Sequence, residues 1–536
     1  MIAPPAPKPL SISPSLYWDG DDGLWSTFQI QVGTPGQTVR LLPGTSASAG
    51  STIWVVIPPG CVDVNPSLEN CENERGYLFQ SNLSTSWTTQ GLQNGVDGAI
   101  FSLNTFEESL LGKSGNGSYG YDTINLGIPG AGLPRLERQV VAGIWTDDFF
   151  LGSLGLSPVP FNFTNLNNPQ PSMLSSLYHQ SLVPSRSWAY TAGAHYKSPP
   201  VFGSLTLGGF DTTRFEPNNL SFAFGADFSR DLLVGLQAVT YDTAGSSPLL
   251  ASSIDVYIDS MVTEIWLPVI VCEAFAQQFD LTWNEHGQLY LVTEDSHAAL
   301  VKQNPTFTFQ IGRAGGGGET VDIVLPYAAF DLVLTAPIVG NDTRYFPLKQ
   351  AQNTSQYTLG RMFLQEAYVI ADYERHNFSL SQALFPATTV GSNTIAIDPL
   401  PAENGTNAIA GTTKSHRLGA GAIAGIAVGC IAAVALLAIV AFSSYKKKKS
   451  RHELDDNSRP RLEEEEAAQN VLNWPPAEAK PAVPEMDEQR PGPLELHCQE
   501  SHWERHELGQ ENITCELDGT GITVEGQKGK RFSWEN

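Results

Sequence analysis

Along most of the chain, apolar residues come in short runs rich in β-branched and aromatic side chains, broken by Gly, Pro and Asn. The clearest stretch is residues 28–56, FQIQVGTPGQTVRLLPGTSASAGSTIWVV. Runs at 28–32 and 53–56 flank it, Gly33-Thr34-Pro35-Gly36 is a turn signal, and a third run covers 39–42. The pattern predicts a hairpin, a loop and a returning strand. Loops on a β-scaffold are where chemistry is usually presented. Yet the loop at 43–51 contains no Asp, Glu, His, Cys, Lys or Arg. Helical periodicity is scarce, and short helices are predicted only at 173–180 and 269–279. The second half echoes the first: an apolar run at 256–258, then Asp259-Ser260-Met261, then Ile265-Trp266-Leu267-Pro268. Two facing β lobes would bring these two loops together at a central cleft.

The ends of the chain read differently. Residues 1–15 are Pro-rich and extended, and 16–385 form one β-rich unit with lobes at about 16–200 and 201–385. Residues 386–417, rich in Thr, Ala, Asn and Gly, read as a solvated stalk. Residues 418–445 carry no charge and precede Lys446-Lys447-Lys448-Lys449. That run is long enough to span a bilayer as one helix, and the lysines mark its cytoplasmic end. The expectation is a single-pass cell-surface protein with its N-terminal domain outside. Gly421, Gly425 and Gly429 form two GxxxG steps, a pattern that can bring two such helices together as a homodimer. Residues 446–536 are charged, with Glu463 to Glu466 in a row, and read as a disordered tail. An outward domain needs a leader, and none follows Met1, so the start is expected to be truncated.

Composition adds two constraints. Acids outnumber bases 56 to 31, which argues against a nucleic-acid partner. Of six cysteines, Cys61 and Cys71 bracket a short polar loop that suits a disulfide in an oxidising compartment. Sequons at Asn82, Asn116, Asn162, Asn219, Asn341, Asn353, Asn377 and Asn404 fit a glycosylated ectodomain. Cys272 has no evident partner and reads either as a buried thiol or as an intermolecular link.

Within 16–385 the chain resembles the pepsin-like aspartic peptidases, family A1, of the surface-attached fungal type. Val32-Gly33-Thr34-Pro35-Gly36-Gln37 is similar to that family's GTPxQ hairpin, and Ile53-Trp54-Val55-Val56 to its LWV strand. Tyr121-Asp122-Thr123 resembles the strand after the flap, and Leu154-Gly155-Leu156 the GLG segment. Leu359-Gly360-Arg361-Met362-Phe363-Leu364 resembles LGDxFL near the end. The resemblance implies an all-β, bilobal fold and no cofactor or metal. It also implies a pair of carboxylates about 3 Å apart that share one proton, each from a D-T/S-G loop.

The family's pattern falls on Gly44-Thr45-Ser46 and on Asp259-Ser260-Met261. One acid is therefore missing at Gly44, Asp259 is the one retained, and Met261 replaces a glycine. Thr45 and Ser260 stand where inner hydroxyls brace the two loops. The flap tyrosine position falls near Leu110. Glu107, Glu108, Asp19, Asp21 and Asp22 are the candidates for a substitute carboxylate. Three functions fit: a cleft that binds extended peptide or cell-wall material without cutting it, an acid endopeptidase using Asp259 and another carboxylate, and a structural surface glycoprotein.

Overall fold

The computed structural model describes residues 6–92, 99–163, 168–242, 248–386 and 391–400. The alternating runs fold as strands because every second side chain reaches a core. In Trp25–Val32, for example, Phe28, Ile30 and Val32 are fully buried while Gln29 and Gln31 are not.

The first half is an eight-stranded sheet in the order Pro14–Asp19, Trp25–Val32, Gln37–Gly44, Gly152–Gly155, Ile53–Val56, Arg135–Ile144, Asn116–Leu126, Ile100–Ser102. The second half carries a seven-stranded sheet. A six-stranded sheet, built from Leu10–Ile12, Val201–Leu207, Ser187–Ala194, Ala367–Asp372, Asn377–Gln382 and Phe222–Ala223, draws strands from both halves. The lobe division expected at 200/201 falls in the connection between two of its paired strands. One apolar core runs through all of this, from Phe28 and Val55 through Trp188 and Leu205 to Val256, Ile258 and Phe363.

The sequence echo is a repeat of topology. Gln37–Gly44 lies parallel to Gly152–Gly155, which is antiparallel to Ile53–Val56, itself parallel to Arg135–Ile144. In the second half Ile254–Ile258 lies parallel to Thr358–Leu359, which is antiparallel to Ile265–Pro268, itself parallel to Leu348–Ala351. The strand at 53–56 therefore does not return against the hairpin. A strand from about one hundred residues later is inserted between them, a long-range pairing that local pattern does not encode.

The two expected helices form at Met173–His179 and Val269–Phe279. Part of the predicted stalk is docked: Thr394–Ala396 pairs antiparallel with Gly209–Asp211. Cys61 and Cys71 are disulfide-bonded. Cys272 is a fully buried thiol lying against the carbonyls of Leu267 and Lys349, out of reach of an intermolecular link. Asn82, Asn116, Asn219, Asn341 and Asn353 are exposed, and Asn162 and Asn377 half-buried. Asn404, the uncharged run at 418–445 with its three glycines, and the tail lie outside the described residues. Among the described residues no helix is long and apolar enough to cross a membrane.

Candidate functional site

The two short polar loops meet where the duplicated strands end. Thr45 N–H donates to Ser260 Oγ (3.0 Å), and Ser260 N–H donates to Thr45 Oγ1 (2.9 Å). Ser260 Oγ in turn donates to the Pro43 carbonyl (2.6 Å). All three bonds are buried and link positions more than 210 apart in sequence. Buried backbone groups must be paired, and here each loop pairs the other, which fixes their mutual position.

Gly44 ends its strand, and its carbonyl accepts from Leu156 N–H (3.0 Å). A Cβ at this position would fall inside the envelope of Ser153 Oγ and 3.0 Å from Met261 Sδ. Ser153 Oγ donates to that same sulfur at 3.4 Å. A side chain growing from position 44 would have to push aside the Ser153 hydroxyl and the Met261 thioether, both ends of flexible side chains. Across from it, Asp259 is fully buried, and its Oδ1 accepts from Met261 N–H (2.8 Å). Asp259 Oδ2 has no hydrogen-bond partner.

A segment from the first lobe covers the floor. Ile100–Ser102 and Asn116–Leu126 form a hairpin, and its connection contains a one-turn helix, Phe106–Leu110. The helix is inverted: Phe106 is 59% exposed, whereas Glu107 and Glu108 are 4% and 0% exposed. Glu107 Oε1 accepts from Ser229 Oγ (2.7 Å), and its Oε2 lies 3.6 Å from Arg230. Gln356 Nε2 donates to the Leu110 carbonyl (2.6 Å), and Asn104 Nδ2 donates to Ser48 O (3.1 Å). The segment is thereby tied to both lobes. Glu108 is fully buried beside Ser46 and within electrostatic reach of Asp259, and neither of its carboxyl oxygens has a well-formed hydrogen bond.

Two buried carboxyls within electrostatic reach of one another cannot both ionise cheaply. Burial, and then Asp259, push Glu108 well above the usual carboxylate range. Burial raises Asp259 to about 7; Glu107 and Asp231 add to the rise, while the Met261 amide and Arg361 oppose it. Arg361 is 4% exposed and donates to Ser260 O (2.7 Å) and Thr263 Oγ1 (2.6 Å). Asp22 lies 3.4 Å from it.

Of the other candidates, Asp19 is bound to Arg40 (2.8 and 2.9 Å), and Asp22 to Trp25 and Thr263. Asp21 lines a cavity of about 60 Å³ with Lys113, Ser153, Met261 and Arg361. Burial, with help from Asp22, lifts Asp21 to about 8. The two glutamates lie within electrostatic reach of Asp259, and of these Glu107 is already committed to Ser229 and Arg230, which leaves Glu108. Leu110 closes the helix, and Tyr119 is buried against Phe161. Among the described residues no cluster of three or more His, Cys, Asp or Glu is arranged to hold a metal. The roles of Ser153 and Arg361 escape sequence reasoning. The one available signal is Arg361 itself, which stands where LGDxFL has its acid.

Known proteins place the chain. Residues 27–383 match the family model "Eukaryotic aspartyl protease". Barrierpepsin of Saccharomyces cerevisiae is 20% identical over 406 residues, covering 70% of this chain and 63% of that protein. The chain thus spans just under two thirds of barrierpepsin's length. Secreted aspartic protease 8 of Candida albicans is 24% identical over 389 residues, covering 72% of this chain and 82% of that one. The crystal structure of the aspartic proteinase from Irpex lacteus aligns over 72% of this chain and 100% of its own, at 17% identity and a TM-score of 0.48. The family match extends from the first hairpin past the last strand of the shared sheet, and the chain belongs to the eukaryotic aspartyl protease family.

Proposed function

We propose that this chain is a membrane-anchored, cell-surface member of the family whose cleft holds extended peptide or cell-wall material without cutting it. One observation carries the reading: the room for a side chain at position 44 is filled by Ser153 and Met261. Peptide hydrolysis on this scaffold needs one carboxylate as base toward water and a second as acid toward the carbonyl. Asp259 supplies one. A loop that had merely lost its acid would keep the space. Here the Ser153 hydroxyl and the Met261 thioether lean into it, and the cross-bracing hydroxyls that shape the cleft remain. The uncharged run before Lys446, the exposed sequons and the disulfide support an anchored ectodomain with a cytoplasmic tail. The GxxxG steps support pairing of two chains in the membrane.

A second reading, a live acid endopeptidase, draws on the burial of Glu108 within electrostatic reach of Asp259. Its difficulty is position. Glu108 rides on the segment that covers the floor, and a substrate must lie between floor and cover.

Binding of fluorescently labelled oxidised insulin B chain to the full-length protein at pH 7.5 tests the proposal. The expected result is saturable binding, with the peptide recovered uncut by mass spectrometry. Absence of binding across the micromolar to millimolar range removes the peptide-binding role.

A further inference from the structure

We infer that the sugar chain carried by Asn162 docks in the aromatic groove beside it and fills one end of the cleft. The inference rests on the ectodomain reading, because only a chain on the secretory route is glycosylated at its sequons. It goes beyond that reading in giving this one glycan a seat on the protein.

The groove measures about 890 Å³ and is built from both lobes. Sites that hold a small ligand run from about 300 to 1,000 Å³. Phe101 and Phe106 come from the hairpin of the first lobe, Phe161 and Phe163 from the segment after Gly152–Gly155, and Phe228 from a turn of the second lobe. Phe161 stacks on Tyr119 (5.2 Å), and Phe163 packs on Phe161 (4.8 Å) and Phe101 (5.2 Å). Phe106 and Phe228 are different. At 59% and 74% they are the two most exposed phenylalanines among the described residues, and both line this groove. Apolar surface left open in one place marks a binding site. The walls are also fixed in advance. Asp227 accepts from Ser229 N–H (3.0 Å), and Ser229 Oγ donates to Glu107 (2.7 Å), which ties the turn bearing Phe228 to the segment bearing Phe106.

The position and chemistry of Asn162 select a sugar as the occupant. Asn162-Phe163-Thr164 is a sequon, and Asn162 itself lines the groove. Phe161 and Gln170 exchange two backbone hydrogen bonds (2.9 and 2.8 Å), which fixes the chain next to Asn162. Asn162 is half-buried, and its Oδ1 is enclosed without a donor. A buried carbonyl left unpaired is costly. Glycosylation keeps that carbonyl: the bond from sugar C1 to the pyrophosphate oxygen of a lipid carrier breaks, the C1–Nδ2 bond forms, and Nδ2 gives up one proton. The hydroxyls and the N-acetyl N–H of the sugar then supply donors. A pyranose has a C–H face and a hydroxyl rim. The groove divides in the same way, into aromatic faces that attract C–H groups and the exposed polar residues Ser102, Asn104 and Asp227. Any other occupant must arrive from solution, whereas this one is tethered to the wall, so a weak contact suffices. The groove also takes in Ala47 and Ser48, next to the Thr45–Ser260 brace. A seated glycan therefore limits how far an extended ligand can run along the cleft.

Site-resolved deglycosylation tests this. The full chain from a yeast secretory host carries oligomannose glycans, which endoglycosidase H trims to one N-acetylglucosamine. Release from the native protein is followed by glycopeptide mass spectrometry, with the exposed Asn219 and Asn341 as internal references. Release at Asn162 is expected to be at least about 10-fold slower than at either reference, as for a glycan within reach about one-tenth of the time. After denaturation the three rates should be equal. Phe228→Ser and Phe106→Ser, at positions exposed enough to leave folding intact, should each bring the Asn162 rate to within about 3-fold of the references. A bare Asn162 beside occupied Asn219 and Asn341, native release as fast as at the references, or slow release that both variants leave unchanged overturns the docking. Bare asparagines at all three sites would overturn the ectodomain reading and this inference with it.

Discussion

Gly44→Asp is expected to destabilise the domain by about 3 kcal/mol or more and to yield no acid peptidase, although it restores the carboxylate the family pattern places there. The new Cβ would overlap Ser153 Oγ and press on Met261 Sδ. Both are ends of flexible side chains, so the steric part stays near the low end of the about 1–3 kcal/mol that overpacking costs. The added carboxyl would then lie in the pocket that already buries Asp259 and Glu108 at 0% exposure, with Arg361 committed elsewhere. A buried, imperfectly paired charge brings several kcal/mol more unless it takes a proton. The sign follows: the loss is smallest near pH 4, where all three carboxyls are protonated, and grows toward pH 7. Urea denaturation at the two pH values measures both the size and the slope. A variant as stable as wild type would show that the pocket has room after all.

Arg361→Met is expected to cost about 3 kcal/mol, because removing one partner of a buried charge network strands the others. Its guanidinium caps the Ser260 carbonyl, ties Thr263 to Asp22 and sits over the Trp25 ring at 4.7 Å. Methionine matches the length of the stem but satisfies none of these groups. The second consequence is electrostatic. Arg361 is the cation that restrains Asp259, so its loss moves that carboxyl further up. The destabilisation should therefore be larger at pH 8 than at pH 4.5. Equal stability of variant and wild type at both pH values would rule out the bracing role assigned to this residue.

The fold was legible where physics is local. Alternation in Trp25–Val32, the Gly-Thr-Pro-Gly turn and the two helices follow from periodicity and turn chemistry. The insertion of Gly152–Gly155 between Gln37–Gly44 and Ile53–Val56 was not, because its energetics lie in pairing across the chain. The meeting of Thr45 with Ser260 could be anticipated from the repeat and from the family motif. The conformation of 103–115 could not. Glu107 and Glu108 were candidates for the cleft by position alone, and no local pattern shows that Phe106 stays 59% exposed while both acids are buried. What decides this is tertiary: Ser229, Arg230 and Gln356 on the facing lobe draw the polar side inward. Ser153 was silent for a similar reason, since a lone serine in a strand gives no sign that it fills the place of a side chain missing elsewhere.

The most direct test of the account is hydrolysis. The full-length protein is incubated with acid-denatured haemoglobin from about pH 3 to 6, the range in which a shared-proton carboxyl pair works, beside Asp259→Ala and beside wild type with pepstatin, and new amino termini are counted. The cleft described here has one floor acid, a repacked partner position and its own segment over both, so wild type should match the Asp259→Ala background at every pH. Acid cleavage abolished both by pepstatin and by Asp259→Ala would contradict it, and would make this chain a working peptidase with a second acid that moves into place.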